Sequence, residues 1–195
     1  MTAADSAHRW RRFVGGVLLA LACVAVVPAR AEEPGIRVLG GNVALDDGVY
    51  YLDARIGYRL SDVAREALSN GVPLVVELEI QVLRRRWWWW DAVVAELSQR
   101  YRLQYHALSQ RYVLTAVNTR ESRSFRSLRS MLAALGHVDA LPLIDAQLLD
   151  KQDRYEVQLR ARLDLDALPR PLRTVAYITP DWRLVSDWYQ WRLDS

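Results

Sequence analysis

Beyond its N-terminal stretch, the chain alternates apolar and polar residues with period two, and this alternation predicts strands. Tyr50, Leu52, Ala54, Ile56, Tyr58 and Leu60 form one series against the more polar Val49, Tyr51, Asp53, Arg55, Gly57 and Arg59. That is the pattern of a strand with one buried face. Asp47-Gly48, just before it, is a hairpin signal that pairs this strand with residues 36–45. Leu74, Val76, Leu78, Ile80 and Val82 repeat the alternation, with Glu77, Glu79 and Gln81 facing the other way. The most explicit strand comes late. Tyr155, Val157, Leu159, Ala161, Leu163 and Leu165 face the core, opposite Arg154, Glu156, Gln158, Arg160, Arg162 and Asp164. A slip of one residue would bury three arginines and two acids, so the register is well specified. Residues 101–106 and 111–117 read as a further hairpin, and 143–149 and 175–191 complete the set.

Two short helices interrupt the strands. Ser61 can cap the first, Val63, Ala64, Ala67 and Leu68 give it an apolar face, and Gly71 ends it. Ser124 can cap the second, where Phe125, Leu128, Leu132 and Leu135 recur at helical spacing before Gly136. About seven strands and two helices predict a mainly β fold, an antiparallel β-sandwich with immunoglobulin-like topology. An α+β arrangement is the alternative.

The N-terminus has a different composition. Arg9, Arg11 and Arg12 precede an uncharged, mainly apolar run of fifteen residues, 13–27, which Pro28 breaks. Ala29-Arg30-Ala31 then places small residues at the −3 and −1 positions of a signal peptidase site. Residues 1–31 are expected to be a signal peptide, cut between Ala31 and Glu32, and residues 32–195 a single periplasmic or secreted domain. Fifteen residues fall short of the about 20 that span a bilayer as a helix, which ranks an uncleaved anchor second.

Removing the leader changes the charge argument. The chain has 26 Lys+Arg and 23 Asp+Glu; the leader holds four Arg and one Asp, leaving 22 of each sign. The basic bias belongs to the leader and gives no reason to expect nucleic-acid binding. Cys23 also leaves with it, so packing rather than disulfides must hold the domain together. Only His106 and His137 remain as histidines, without metal-ligand spacing, and no nucleophile elbow or phosphate-binding glycine loop is present. No catalytic residue, metal or cofactor is expected, and the domain reads as non-enzymatic.

Arg84-Arg85-Arg86-Trp87-Trp88-Trp89-Trp90-Asp91 is the unusual feature. In a strand, Trp87 and Trp89 share one face and Trp88 and Trp90 the other. One reading is an exposed aromatic rim that stacks on sugars or sits at a membrane interface beside arginines such as Arg85. The other, preferred because buried Trp is routine in sandwich cores, is that one pair caps the core and the second is covered. A second cluster holds Trp182, Trp188, Tyr189 and Trp191. With Arg160 and Arg162 on the polar face of the late strand, Trp188 and Trp191 can build a cation–π ladder. Leu168-Pro169-Arg170-Pro171-Leu172 reads as an extended connection, because its prolines disfavour helix.

Trp88-Trp89-Trp90-Asp91, Tyr105-His106 with Tyr112, Leu163-Asp164 leading to the Pro169–Pro171 segment, and Trp182-Arg183-Leu184-Val185-Ser186-Asp187-Trp188 together resemble a family of exported proteobacterial proteins. Its members are described as a domain of unknown function, some as proline-rich signal-peptide proteins. The resemblance implies no activity or catalytic residue. It does imply genes placed beside a membrane sensor histidine kinase of the nitrogen-regulation type, and so an envelope or membrane sensor protein as partner. The leading expectation is an interaction or accessory domain linked to envelope signalling. The rivals are a glycan- or lipid-binding module using the tryptophans, with peripheral membrane contact, and an enzyme of unrecognised type. The candidate interaction surface comprises Arg85, Trp87, Trp89, Arg160, Arg162, Trp188 and Trp191.

Overall fold

In the computed structural model, which describes residues 33–86 and 90–193, the alternating segments become antiparallel strands. Strands β1 (Gly35–Asp46) and β2 (Val49–Arg59) meet through Asp47 and Gly48, whose φ angles of 44° and 80° give the turn that matches strand twist. Helix α1 (Asp62–Ser69) follows, its first turn capped by the Ser61 Oγ, which accepts from the Ala64 N–H at 3.2 Å. Four strands then run as a meander: β3 (Leu74–Arg85), β4 (Ala92–His106), β5 (Arg111–Ala116) and β6 (Ser122–Phe125). Helix α2 (Leu128–Leu135), β7 (His137–Asp145), β8 (Arg154–Leu163), helix α3 (Arg170–Ile178) and β9 (Tyr189–Arg192) complete the described residues.

Two sheets result, a three-stranded one in the order β1-β2-β7 and a six-stranded one in the order β6-β5-β4-β3-β8-β9. Their apolar faces meet in one contiguous core. Leu52 of the small sheet and Leu74, Leu78, Ile80, Val157 and Leu159 of the large one are fully buried there, with Leu68 and Met131 from α1 and α2. Each such side chain stabilises the fold by roughly 1.5–3 kcal/mol. The mainly β, antiparallel sandwich read from the sequence is therefore the fold. Its strand order does not establish an immunoglobulin-like topology, because β3 to β6 are sequential hairpin neighbours. The described residues contain nine strands and three helices, rather than about seven and two.

The differences have local causes. Ser124 does not cap α2; it lies in β6 opposite Val113, and the cap is Ser127, whose Oγ accepts from the Ser130 N–H at 3.1 Å. Residues 143–149 are not a strand of their own, since β7 begins at His137 and a short 3-10 turn occupies Ala146–Leu148. Residues 175–191 are not one strand either, because α3 claims the first part and only β9 is extended ladder. The prolines expected to disfavour helix there instead start it. Pro169 is the N-cap residue and Pro171 sits in the first turn, where a missing N–H costs nothing. The expected leader, with its cleavage at Ala31 and Glu32, lies outside the described residues.

Candidate functional site

The outer face of the six-stranded sheet carries the polar set of the alternation, and register decides who meets whom. Glu79 lies opposite Arg160, and Glu77 opposite Arg162. The Arg160 Nε donates to the Glu79 Oε2 at 2.9 Å, and its Nη2 reaches the same oxygen. Arg162 bridges both acids, from Nε to the Glu79 Oε1 and from Nη2 to the Glu77 Oε2, each at 2.5 Å. The Ser98 hydroxyl on β4 adds a bond to the Glu77 Oε1 at 2.6 Å, and Gln81, Gln158 and Gln190 extend the network across three strands. Burial raises the Glu79 pKa, but hydrogen bonds from Arg160 and Arg162 outweigh it and hold the carboxyl below the usual range.

Trp188 folds over this face. The Arg160 guanidinium carbon sits 4.5 Å from the centroid of its indole ring. Trp191 does not join it: it pairs with Val157, on the core side of β8, and stands against Gly41 of β1 with its ring N–H buried and unpartnered. The expected ladder is one rung, Arg160 with Trp188, and the carboxylates of β3 supply the rest. Arg160→Ala is expected to cost about 1–2 kcal/mol in a denaturant melt, since it removes both the cation–π contact and charge-assisted bonds. A cost near zero would make the face merely solvated. The lowered Glu79 pKa means that its contribution is present above the ordinary carboxylate range and lost as pH falls through the folded-state value. Glu79→Gln is accordingly expected to flatten the acid limb of the stability profile.

Asp164 departs from the alternation. Read as outward, it is 4 % exposed, because β8 ends at Leu163 and the chain turns there. Its Oδ1 accepts from the Asp166 and Ala167 N–H groups, and Oδ2 pairs with Arg100 of β4. No sequence signal marked Arg100 as its partner; sheet register alone brings them together.

At the far end of the large sheet, the β3–β4 hairpin presents a different surface. Asp91 ties its base, accepting from the Arg85 Nη1 at 2.7 Å and the Arg86 N–H at 3.2 Å. Arg85 also lies 3.6 Å from Glu156. Trp90 next to it is 86 % exposed, with Val93 at 52 % and Val94 also exposed. Trp87 and Trp89 lie outside the described residues. The hairpin end therefore gathers Arg85, Arg86, Trp90, Val93 and Val94; Trp90, which the preferred reading of the Trp run has capping the core or covered, is exposed, while Val93 and Val94 lie outside that run.

The histidines do not converge with other reactive groups. His106 is exposed at the end of β4. The His137 Nδ1 is 2.6 Å from the Ala133 carbonyl oxygen and must donate to it, leaving Nε2 to accept from Arg55 at 2.5 Å. Among the described residues there is no group of three or more potential metal ligands, and no helix long and apolar enough to cross a membrane.

These features define an antiparallel two-sheet domain with a self-paired charged face and an exposed apolar and basic hairpin end. The chain belongs to the family described as Domain of unknown function (DUF4390), whose model matches residues 34–192. No curated protein and no solved structure matches it.

Proposed function

We propose that the chain is a non-enzymatic interaction domain that works outside the cytoplasm, as an accessory to an envelope or membrane sensor protein, and docks through the β3–β4 hairpin end. The observation that carries this reading is the exposure of Trp90, 86 %, beside Val93 and Val94 on a hairpin whose base Asp91 fixes. Folding gains little from an indole left in water, whereas Trp and Arg are the residues that most often dominate protein interfaces. Arg160 and Arg162 lie further along the sheet, paired with Glu79 and Glu77.

A photocrosslinking amino acid placed at Val93 in cells tests the proposal. The expected result is capture of one envelope protein, lost on Trp90→Ala at unchanged melting temperature. N-terminal sequencing of the protein itself, purified from the same cells, should begin at Glu32; an intact Met1 would make the leader an anchor. Sedimentation of the purified protein with anionic vesicles, lost in the same Trp90 variant, would replace the protein partner with a lipid surface.

A further inference from the structure

Strand β2 outlasts its neighbour β7. The last ladder pair is Arg55 with His137, and the next bond runs from the Ile56 N–H to the Gly136 carbonyl at 2.8 Å, where the line of β7 gives way to the C-terminal end of α2. Beyond that point β2 continues through Gly57, Tyr58 and Arg59, paired with β1 alone. In an antiparallel strand, the N–H and C=O of one residue share a side, and successive residues alternate sides. Ile56 faces β7, so both main-chain groups of Tyr58 also point away from β1.

They point toward a cleft of 530 Å³ between β2 and α2. Ile56, Leu60, Leu128 and Leu132 give it apolar walls. Arg65 and Arg129 give it two cations, and no described Asp or Glu lines it. Asp62 meets Arg65 at 2.9 Å, but both side chains are largely exposed, so the pair leaves much of that charge available.

We propose that this cleft takes an acidic, extended segment of a partner protein, which continues the line of β7 as an added antiparallel strand on β2. The Tyr58 main chain supplies the pairing, the commonest basis of strand addition to an open sheet edge. Alternate side chains of such a segment face opposite ways, so apolar residues settle on the leucines while carboxylates meet the arginines. The chemistry selected is therefore an alternation of acidic and apolar residues. This surface is separate from the β3–β4 hairpin end and does not rest on the docking proposed there.

The test uses the full chain and a fluorescein-labelled peptide of alternating Glu and Val, with binding followed by anisotropy. Saturable binding is expected, weakened about tenfold by Arg129→Glu, the scale of a lost charge-assisted bond. A peptide with Lys in place of Glu should not bind, nor should one methylated on its backbone nitrogens. Hydrogen exchange at the Tyr58 amide of the unaltered chain should slow when the peptide is added, a readout that needs no variant. Equal binding of the methylated peptide, or unchanged Tyr58 exchange, would overturn the proposal. Binding of dodecanoate with the Tyr58 amide unprotected and no binding of the peptide would reassign the cleft to small anionic amphiphiles.

Discussion

Leu159→Asp is expected to leave the chain largely unfolded or degraded. Leu159 is completely buried at the centre of β8, opposite Ile80 on one side and Tyr189 on the other. The substitution removes apolar packing, which costs about 2–5 kcal/mol in comparable core truncations. It also places a carboxylate where no described donor waits, a further penalty of several kcal/mol. A domain of this size has only about 5–15 kcal/mol of stability in total. Circular dichroism and a urea melt read the outcome directly. Gln190→Asp, one strand over and exposed, is the control and should cost under about 1 kcal/mol. A native-like melt for Leu159→Asp would mean that β8 is set in the wrong register.

Gly136→Ala is expected to be strongly destabilising for the addition of a single methyl. A Cβ at this position would stand 2.2 Å from the Ile56 carbonyl oxygen, a main-chain atom of the central strand of its sheet. No side chain can swing aside to relieve that contact. The junction of α2 and β2 must open, and the Ile56 to Gly136 bond stretches with it. Overpacking of this kind typically costs about 1–3 kcal/mol, and this site belongs at the upper end because both partners are backbone. The melting temperature should fall by roughly 5–10 °C. Gly57→Ala provides the contrast. Its Cβ would touch only the Leu39 side chain, at 3.5 Å, an ordinary contact, so a change within about 0.5 kcal/mol is expected. Equal melts for the two variants would show that the close approach at Gly136 is not a constraint.

The parts of the fold legible in the sequence are those where one physical rule acts alone. In β2, β3 and β8, burial of one face dictates alternation, and the core residues read from period two are the buried ones. The same rule failed where a strand stops. Asp164 fits the polar phase of β8, yet it lies one residue past the last rung and turns inward to hold the next two amides. Trp191 was assigned to the outer face by its neighbourhood of arginines, whereas its pairing with Val157 turns it to the core. Helix α3 was hidden by its prolines, although Leu172, Val175 and Ala176 at helical spacing were the signal available. The family was legible from motifs; the cleft beside Tyr58 was not, because it depends on where β7 ends relative to β2. That is a fact of register between segments some eighty positions apart, as the pairing of Arg55 with His137 shows.

The large sheet is closed off at both sides by strands of only four residues, β6 and β9. Each carries an arginine, Arg123 or Arg192, along its length. Short, charged outermost strands offer a second molecule too few unpaired amides to build on. The broad sheet therefore offers a second copy of the chain little edge on which to pair. The small sheet has longer outer strands, β1 and β7, and in β1 the irregularity between Val38 and Gly40 breaks the straight run that a growing filament would need.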